Sequence, residues 1–344
     1  MRAVVTTGPR AMELQDVAEP GAPGPGEVVV RPGAVGLCGS DYDFFAGDLT
    51  EEAGGGLFPR IQGHEVGAVV ESVGAGVEGL EPGQIVAVYP LRACGHCYPC
   101  RIDRPNRCVN FELVGVHVDG GLQDLLRLPA RQVVPIDVGS TALASLAEPV
   151  SIATRAVRRA RVLEGEKVVV LGGGPIGAAV ALCSLDRAAE VLVVDPLESR
   201  LELSRTLGAR TLPWTTAEAV EEAAHEWTDG EGPPVVVDAT GVPAAVRAAV
   251  DMVVAAGRVV IVGMSAAEVS LRVGSFTEKE LDVLGSAICG HGEFEGAVSV
   301  VERYADRLGG LISHEFPLER APEAIEFAIA NPTDVMKVVI GDGE

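Results

Sequence analysis

Val168-Val169-Val170-Leu171-Gly172-Gly173-Gly174-Pro175-Ile176-Gly177 is the stretch that decides the fold. Four apolar residues without a polar break suit a parallel strand covered on both faces. They run straight into a G-x-G-x-x-G pattern in which Pro175 suits the first position of a helix. Glycines there permit a tight turn. They also let a pyrophosphate approach the helix N-terminus, where free N–H groups and the helix dipole favour anions. The pattern alone is weak evidence; the strand before it and the helix after it make it a dinucleotide-binding fingerprint.

The next apolar strand, Val191-Leu192-Val193-Val194, ends in Asp195. A carboxylate at that place accepts hydrogen bonds from both ribose hydroxyls and repels a 2′-phosphate, which predicts NAD(H) over NADP(H). Arg200 follows closely and could reach a 2′-phosphate or lie against the adenine. Val235-Val236-Val237 and Val259-Val260-Ile261-Val262 are further buried strands, separated by Ala/Leu/Glu/Arg-rich helices. The helix around residues 197–207 has Gly208 to end it. Strand and helix alternating at this spacing predict an α/β domain with a doubly wound parallel sheet, of Rossmann type, over 149–285.

Upstream the character differs. Residues 1–148 are rich in Gly and Pro, with short β-type runs such as Glu27-Val28-Val29-Val30 and Val66-Gly67-Ala68-Val69-Val70. This predicts a β-rich, barrel-like domain whose loops carry polar chemistry. After Gly285 the alternation loosens into a helical stretch over 294–307 and a β segment at Met336-Lys337-Val338-Val339-Ile340. No long linker precedes it, so residues 286–344 are expected to fold back onto 1–148.

Composition sets limits on function. A chain of 344 residues predicts about two domains, and 47% hydrophobic with 22% charged residues is globular composition. No apolar run approaches the ~18 residues of a membrane helix, and the start lacks the features of a secretory signal; a cytoplasmic protein is expected. The net charge of −22 argues against nucleic-acid and anionic-lipid partners. Seven cysteines are too few for a disulfide scaffold in a chain this long.

Four of them form Cys94-x2-Cys97-x2-Cys100-x7-Cys108. Four thiolates at short spacing make a closed tetrahedral zinc site, structural because no position is open. His96, inside the cluster, is expected to be exposed. A second constellation lies nearer the start. Gly36-Leu37-Cys38-Gly39-Ser40-Asp41 and Gly63-His64-Glu65 offer a thiolate and an imidazole from separate loops. A carboxylate could complete an open site, from Glu65 or from Glu148 in Leu146-Ala147-Glu148-Pro149. Asp41 would accept a hydrogen bond from the other imidazole nitrogen of His64. Zinc there would act as a Lewis acid on an alcohol, and Ser40 is placed to take the hydroxyl proton. Taken singly, Cys38, His64 and Glu65 have plainer readings as a buried thiol, a satisfied histidine and a surface charge. Their joint occurrence beside the dinucleotide fingerprint favours metal.

These segments, with DATG at 238–241, occur in one order over nearly the whole length. In that order the chain resembles the zinc-dependent medium-chain alcohol dehydrogenases, and within them the sorbitol/polyol and threonine dehydrogenase branch. The resemblance implies a GroES-like catalytic domain built from 1–148 and 286–344, with a structural-zinc lobe at about 90–112, a central Rossmann domain, and a cleft between them. It implies two Zn2+ per chain: a catalytic one on Cys38, His64 and Glu65, with Glu148 exchanging or relaying protons, and a structural one on Cys94, Cys97, Cys100 and Cys108. Gly172, Gly174, Pro175, Ile176, Gly177, Asp195, Arg200, Val262, Gly263 and Met264 fall at NAD-contacting positions. A homodimer or homotetramer is implied.

Many members carry a histidine five residues after the catalytic cysteine, as the outer member of a proton relay; this chain has Asp43. A carboxylate with an ordinary pKa of ~3.9 is a weaker base near neutrality. The sequence around Gly115-Val116-His117-Val118-Asp119-Gly120-Gly121 leans toward dehydrogenases of sugar acids and cyclic polyols; His117 lines the cleft or is a plain loop histidine. The leading expectation is hydride transfer between NAD(H) and a secondary alcohol or ketone of a small polar polyol or sugar acid, with specificity set around 43–58 and 288–291. L-Threonine 3-dehydrogenase, a biosynthetic carbonyl reductase and a non-catalytic NAD-binding zinc protein are the competing readings.

Overall fold

The computed structural model describes residues 1–49 and 57–341. Of the expected specificity segment 43–58, residues 50–56 lie outside the described residues.

The chain divides into two compact units, one of Met1–Glu148 with Cys289–Glu344 and one of Pro149–Ile288. The sequence reading set the return at 286, three residues earlier than this division. In the second unit six parallel strands run, in chain order, Lys167–Leu171, Glu190–Asp195, Arg210–Pro213, Val235–Asp238, Arg258–Ile261 and Asp282–Gly285. They lie in the order third, second, first, fourth, fifth, sixth. The order reverses between Lys167–Leu171 and Val235–Asp238, and a crevice outside the carboxyl ends of such strands is where doubly wound sheets bind ligands. Val168, Val169, Val170 and Leu171 are fully buried, which is why that run carries no polar residue. Each stabilises the unit by on the order of 2 kcal/mol. The helix Glu198–Thr206 is followed by Gly208 at φ +103°, the left-handed residue expected just past its end.

The first unit is β-rich. Its main sheet runs Val133–Pro135, Ile85–Val88, Glu65–Val73, Glu27–Gly36, Lys337–Gly341 and Ile312–Phe316, with Leu126–Pro129 also paired to Glu27–Gly36. The C-terminal segment therefore closes onto the N-terminal part: Val339 pairs with Gly36 and Ile340 with Val35. A smaller sheet joins Ala11–Asp16, Arg2–Gly8 and Arg60–Ile61. Leu91–Arg92 and Glu112–Leu113 pair at the base of the cysteine lobe. Among the described residues no helix is long and apolar enough to cross a membrane.

Candidate functional site

In the first unit the strand Glu27–Gly36 ends beside Glu65, the residue paired with Gly36 across the sheet. A Cβ at Gly36 would lie 2.2 Å from Glu65 Oε2, so only glycine leaves room for that carboxylate. Two residues later Cys38 caps the helix Gly39–Ala46, and Asp41 turns back to accept the Cys38 N–H at 2.9 Å. Gly63, at φ +95°, turns the backbone immediately before His64.

These turns bring the ligand atoms of Cys38, His64 and Glu65 within 4.8 Å of one another. Glu65 Oε1 accepts a hydrogen bond from Lys337 Nζ at 2.7 Å, while Glu65 Oε2 has no hydrogen-bond partner among the described residues. His64 Nδ1 likewise has none and sits 3.7 Å from Asp41 Oδ2. Buried polar atoms are normally satisfied. An orphaned carboxylate oxygen beside a thiol and an imidazole fits a cation, and this donor set suits zinc. Glu148 is buried and electrostatically coupled to His64 and Glu65, but it is not one of the three grouped ligands.

The electrostatics follow from burial. Removal from water opposes the charge on His64, yet the Asp41 carboxylate, the Cys38 thiol and Glu148 outweigh it, and the ring binds a proton well above the ordinary histidine range. Burial pushes Glu148 up to about 7, with Glu65 adding to the push and His64 opposing it. Burial also raises Asp41, against the pull of His64 and the Cys38 N–H. For Lys337 burial works against the charge, but Glu65 and Cys38 hold the ammonium above the usual lysine range.

Ser40 and Asp43 stand one turn apart on the helix Gly39–Ala46, whose buried residues are Asp41, Phe44 and Phe45. Ser40 is half-buried and Asp43 exposed. Burial of part of the Asp43 carboxyl, with Asp48 beside it, raises its pKa. His117 Nδ1 accepts the Leu113 N–H at 3.0 Å and its ring meets Phe111 edge-on, so that nitrogen is committed to the loop. His291 begins the helix His291–Leu308, hydrogen-bonds Arg131 O at 3.0 Å and packs edge-on to Tyr89.

The thiols of Cys94, Cys97, Cys100 and Cys108 form a second group within 4.8 Å, and all are free. Cys97 Sγ lies 3.4 Å from Cys100 Sγ and 3.8 Å from Cys108 Sγ. Backbone N–H groups of Cys94 and Asn110 point at Cys108 Sγ. The N–H groups of Cys100 and Val109 hold Cys97 down to about 6, whereas desolvation and the neighbouring thiols push Cys100 up to about 12. Four thiols gathered this closely are the donor set of a closed tetrahedral zinc site. His96 is exposed, its Nδ1 2.9 Å from Cys94 O.

In the second unit Gly172 adopts φ +96°, and a Cβ at Gly177 would lie 1.8 Å from Gly172 O. The helix Pro175–Leu185 thus starts hard against the turn, with Gly174 as its cap. Asp195, 2% exposed, accepts the N–H of Gly173 at 2.7 Å and of Leu197 at 2.8 Å. Arg200 Nη1 approaches it to 3.6 Å. Asp238 accepts the N–H groups of Thr240 and Gly241, fixing the DATG loop against Gly263. Met264 is 85% exposed.

The profile described as Alcohol dehydrogenase GroES-like domain matches residues 24–138, and that described as Zinc-binding dehydrogenase matches 175–303. A 2-dehydro-3-deoxy-L-galactonate 5-dehydrogenase from Pseudoalteromonas atlantica is 33% identical over 320 residues, covering 92% of each chain. The chain belongs to the zinc-dependent medium-chain alcohol dehydrogenases. An Escherichia coli L-galactonate-5-dehydrogenase is 30% identical over 318 residues, again 92% of each. Among solved structures, an E. coli alcohol dehydrogenase complexed with NADH superposes with a TM-score of 0.88 at 29% identity, covering 99% of both chains. A dehydrogenase structure from Sinorhizobium meliloti 1021 bound to NADP gives 0.88 at 27%, covering 98% of both. As a zinc medium-chain dehydrogenase the protein is an oxidoreductase of CH–OH donors, with zinc and NAD as cofactors, on the expected GroES-like and Rossmann-type fold.

Sequence reasoning assigned no role to Lys337, Gln62 or Asp238. Lys337 carried a signal, as one of three lysines in the chain and set within an apolar strand. Asp238 carried one as the first residue of the DATG segment, whereas Gln62 could be found only from three-dimensional contacts.

Proposed function

We propose that the protein oxidises a secondary alcohol of a small sugar acid or polyol, with NAD as hydride acceptor. The observation that carries the metal chemistry is the Cys38/His64/Glu65 group, half-buried at Cys38 and buried at the other two, with its orphaned Glu65 Oε2. Support for the substrate class comes from two relatives named for oxidation at position 5 of galactonate-type acids.

Cys38, His64 and Glu65 would hold the catalytic zinc, and the four lobe thiols a second, structural one. When bound, zinc supplies Lewis acidity that makes an alcohol hydroxyl acidic near neutral pH, and NAD supplies the hydride acceptor. Asp41 faces His64 Nδ1 and so directs the other ring nitrogen to the metal. Lys337 restrains one oxygen of Glu65 and leaves the other to ligate. Ser40 takes the substrate hydroxyl proton, and Asp43, exposed and one turn along the same helix, is the carboxylate assigned to pass it on. Glu148, with its pKa near 7, is a second proton acceptor beside the ligands. Asp195 selects NAD(H) over NADP(H) through the ribose hydroxyls. We place the enzyme in the cytoplasm as a homodimer or homotetramer.

The test is a panel of aldonic acids, polyols, inositols and L-threonine, read as NADH formation at 340 nm. Turnover of aldonic acids above L-threonine is expected. L-Threonine as the best substrate would contradict the proposal. Glu148→Ala should lower kcat on the best substrate.

A further inference from the structure

We infer that Gln62 and Thr6 are positioning residues for the catalytic metal, acting on His64 through Asp41. This rests on the zinc reading above.

The four side chains form one buried line. Thr6 Oγ1 donates to Gln62 Oε1 at 2.6 Å. Gln62 Nε2 donates to Asp41 O at 3.0 Å and lies 3.4 Å from Asp41 Oδ1. Asp41 Oδ2 then accepts the Cys38 N–H and faces His64 Nδ1. Thr6 and Gln62 are fully buried, Asp41 is 1% exposed and His64 7%.

The direction of the amide follows from its neighbours. Turned over, Gln62 would set its oxygen against the two oxygens of Asp41, acceptor against acceptor. In the observed sense every polar atom of the amide meets a complementary group. The acceptor oxygens of Asp41 therefore decide which end of Gln62 faces them, and the Thr6 hydroxyl donates to the amide oxygen left on the other side. Gln62 holds the main-chain carbonyl of Asp41 and lies against one oxygen of its carboxylate, and so restrains that side chain together with the Cys38 N–H. The carboxylate touches both proposed ligands from the Cys38 and His64 segments at once.

The fold delivers this line from the small sheet. Thr6 is paired with Arg60 across that sheet, and the chain leaves it at Gln62. The positive φ of Gly63 then lets Gln62 and His64 address the same carboxylate from consecutive turns of backbone.

Removing a direct partner of a ligating histidine weakens metal binding by about 10- to 100-fold. Gln62 stands one residue further out, so Gln62→Leu should raise the dissociation constant of the catalytic zinc by roughly three- to tenfold. The lobe zinc should stay bound. Thr6→Val should act in the same direction, and Thr6→Ser, which keeps the hydroxyl, should restore wild-type retention.

The experiment is chelator competition on the purified zinc enzyme, followed by the visible spectrum of the Co2+-substituted site. Support is faster loss of one zinc of two in Gln62→Leu and Thr6→Val, altered Co2+ bands, and rescue by Thr6→Ser. Wild-type retention and an unchanged spectrum in both variants would overturn the inference. Should Gln62→Leu not fold, Thr6→Val against Thr6→Ser decides in the same way. If wild-type enzyme holds no zinc that Cys38→Ser removes, the underlying metal reading is what fails, and this inference falls with it.

Discussion

Lys337 Nζ lies 2.7 Å from Glu65 Oε1, with the lysine side chain 4% and the glutamate 1% exposed. Lys337 also donates to Leu37 O at 3.0 Å, next to Cys38. A buried cation is thus tied to the carboxylate and to the backbone of the thiol-bearing segment. Breaking a buried pair by removing one partner costs about 3–5 kcal/mol. Lys337→Met should therefore lower thermal stability sharply, and Lys337→Met with Glu65→Gln should recover most of it. Calorimetry of metal-free protein checks this. Equal melting temperatures for wild type and Lys337→Met would refute the importance of the pair.

His64 carries a raised pKa when no metal competes for it. Zinc must displace that proton, so affinity should rise with pH through the neutral range and uptake should release protons. Chelator competition at pH 6 and pH 8 tests the sign: tighter catalytic zinc is expected at pH 8. No difference would show that His64 is not a ligand.

Glu148 titrates near 7 in the folded protein against about 4.5 when exposed. A raised carboxyl pKa lowers stability as pH rises. The penalty is absent below about 4.5, grows between the two values and is full above 7, where it reaches on the order of 3 kcal/mol. Glu148→Gln should stabilise metal-free protein at pH 8 and leave it nearly unchanged at pH 4.5. Melting temperatures across that range measure the effect; a stabilisation that shrank toward pH 8 would contradict it.

Asp195 Oδ2 accepts the Gly173 N–H of the glycine turn, and its Oδ1 accepts the Leu197 N–H. Hydrogen bonds to a charged group contribute about 1.5–3 kcal/mol, so Asp195→Ala should weaken NADH by about 10- to 100-fold. Binding of NADPH should suffer less, because Arg200 loses the carboxylate beside it. Fluorescence titration with both cofactors decides, and tighter NADPH than NADH binding in the wild type would remove the assigned role of Asp195.

What the sequence disclosed depended on how local the physics was. The turn at 172–177 and Asp195 are legible because strand, glycines and carboxylate follow one another within one βαβ unit. The four lobe cysteines are legible because their spacing alone closes a site. Gly36 belongs to the segment that carries Cys38, but its purpose, making room for Glu65 across the sheet, depends on register. The choice between Glu65 and Glu148 was open in sequence, since both adjoin suitable residues; the fold groups Glu65 with Cys38 and His64. Lys337 and Glu65 are 272 residues apart, and no local pattern joins them. Gln62 sits two residues before His64, yet its role needs Thr6 from another strand. The start of the second unit was read from a change in composition, and the division does fall after Glu148, inside the helix Ala147–Ala160.

The central claim is an open metal site at Cys38, His64 and Glu65 that does the chemistry. Zinc content of the purified protein, wild type against Cys38→Ser, tests it most directly. Two zinc ions per chain are expected in the wild type, and one in Cys38→Ser, with NADH binding intact and alcohol oxidation lost. A single zinc that survives Cys38→Ser would contradict the claim and leave a dinucleotide-binding protein with a structural metal only.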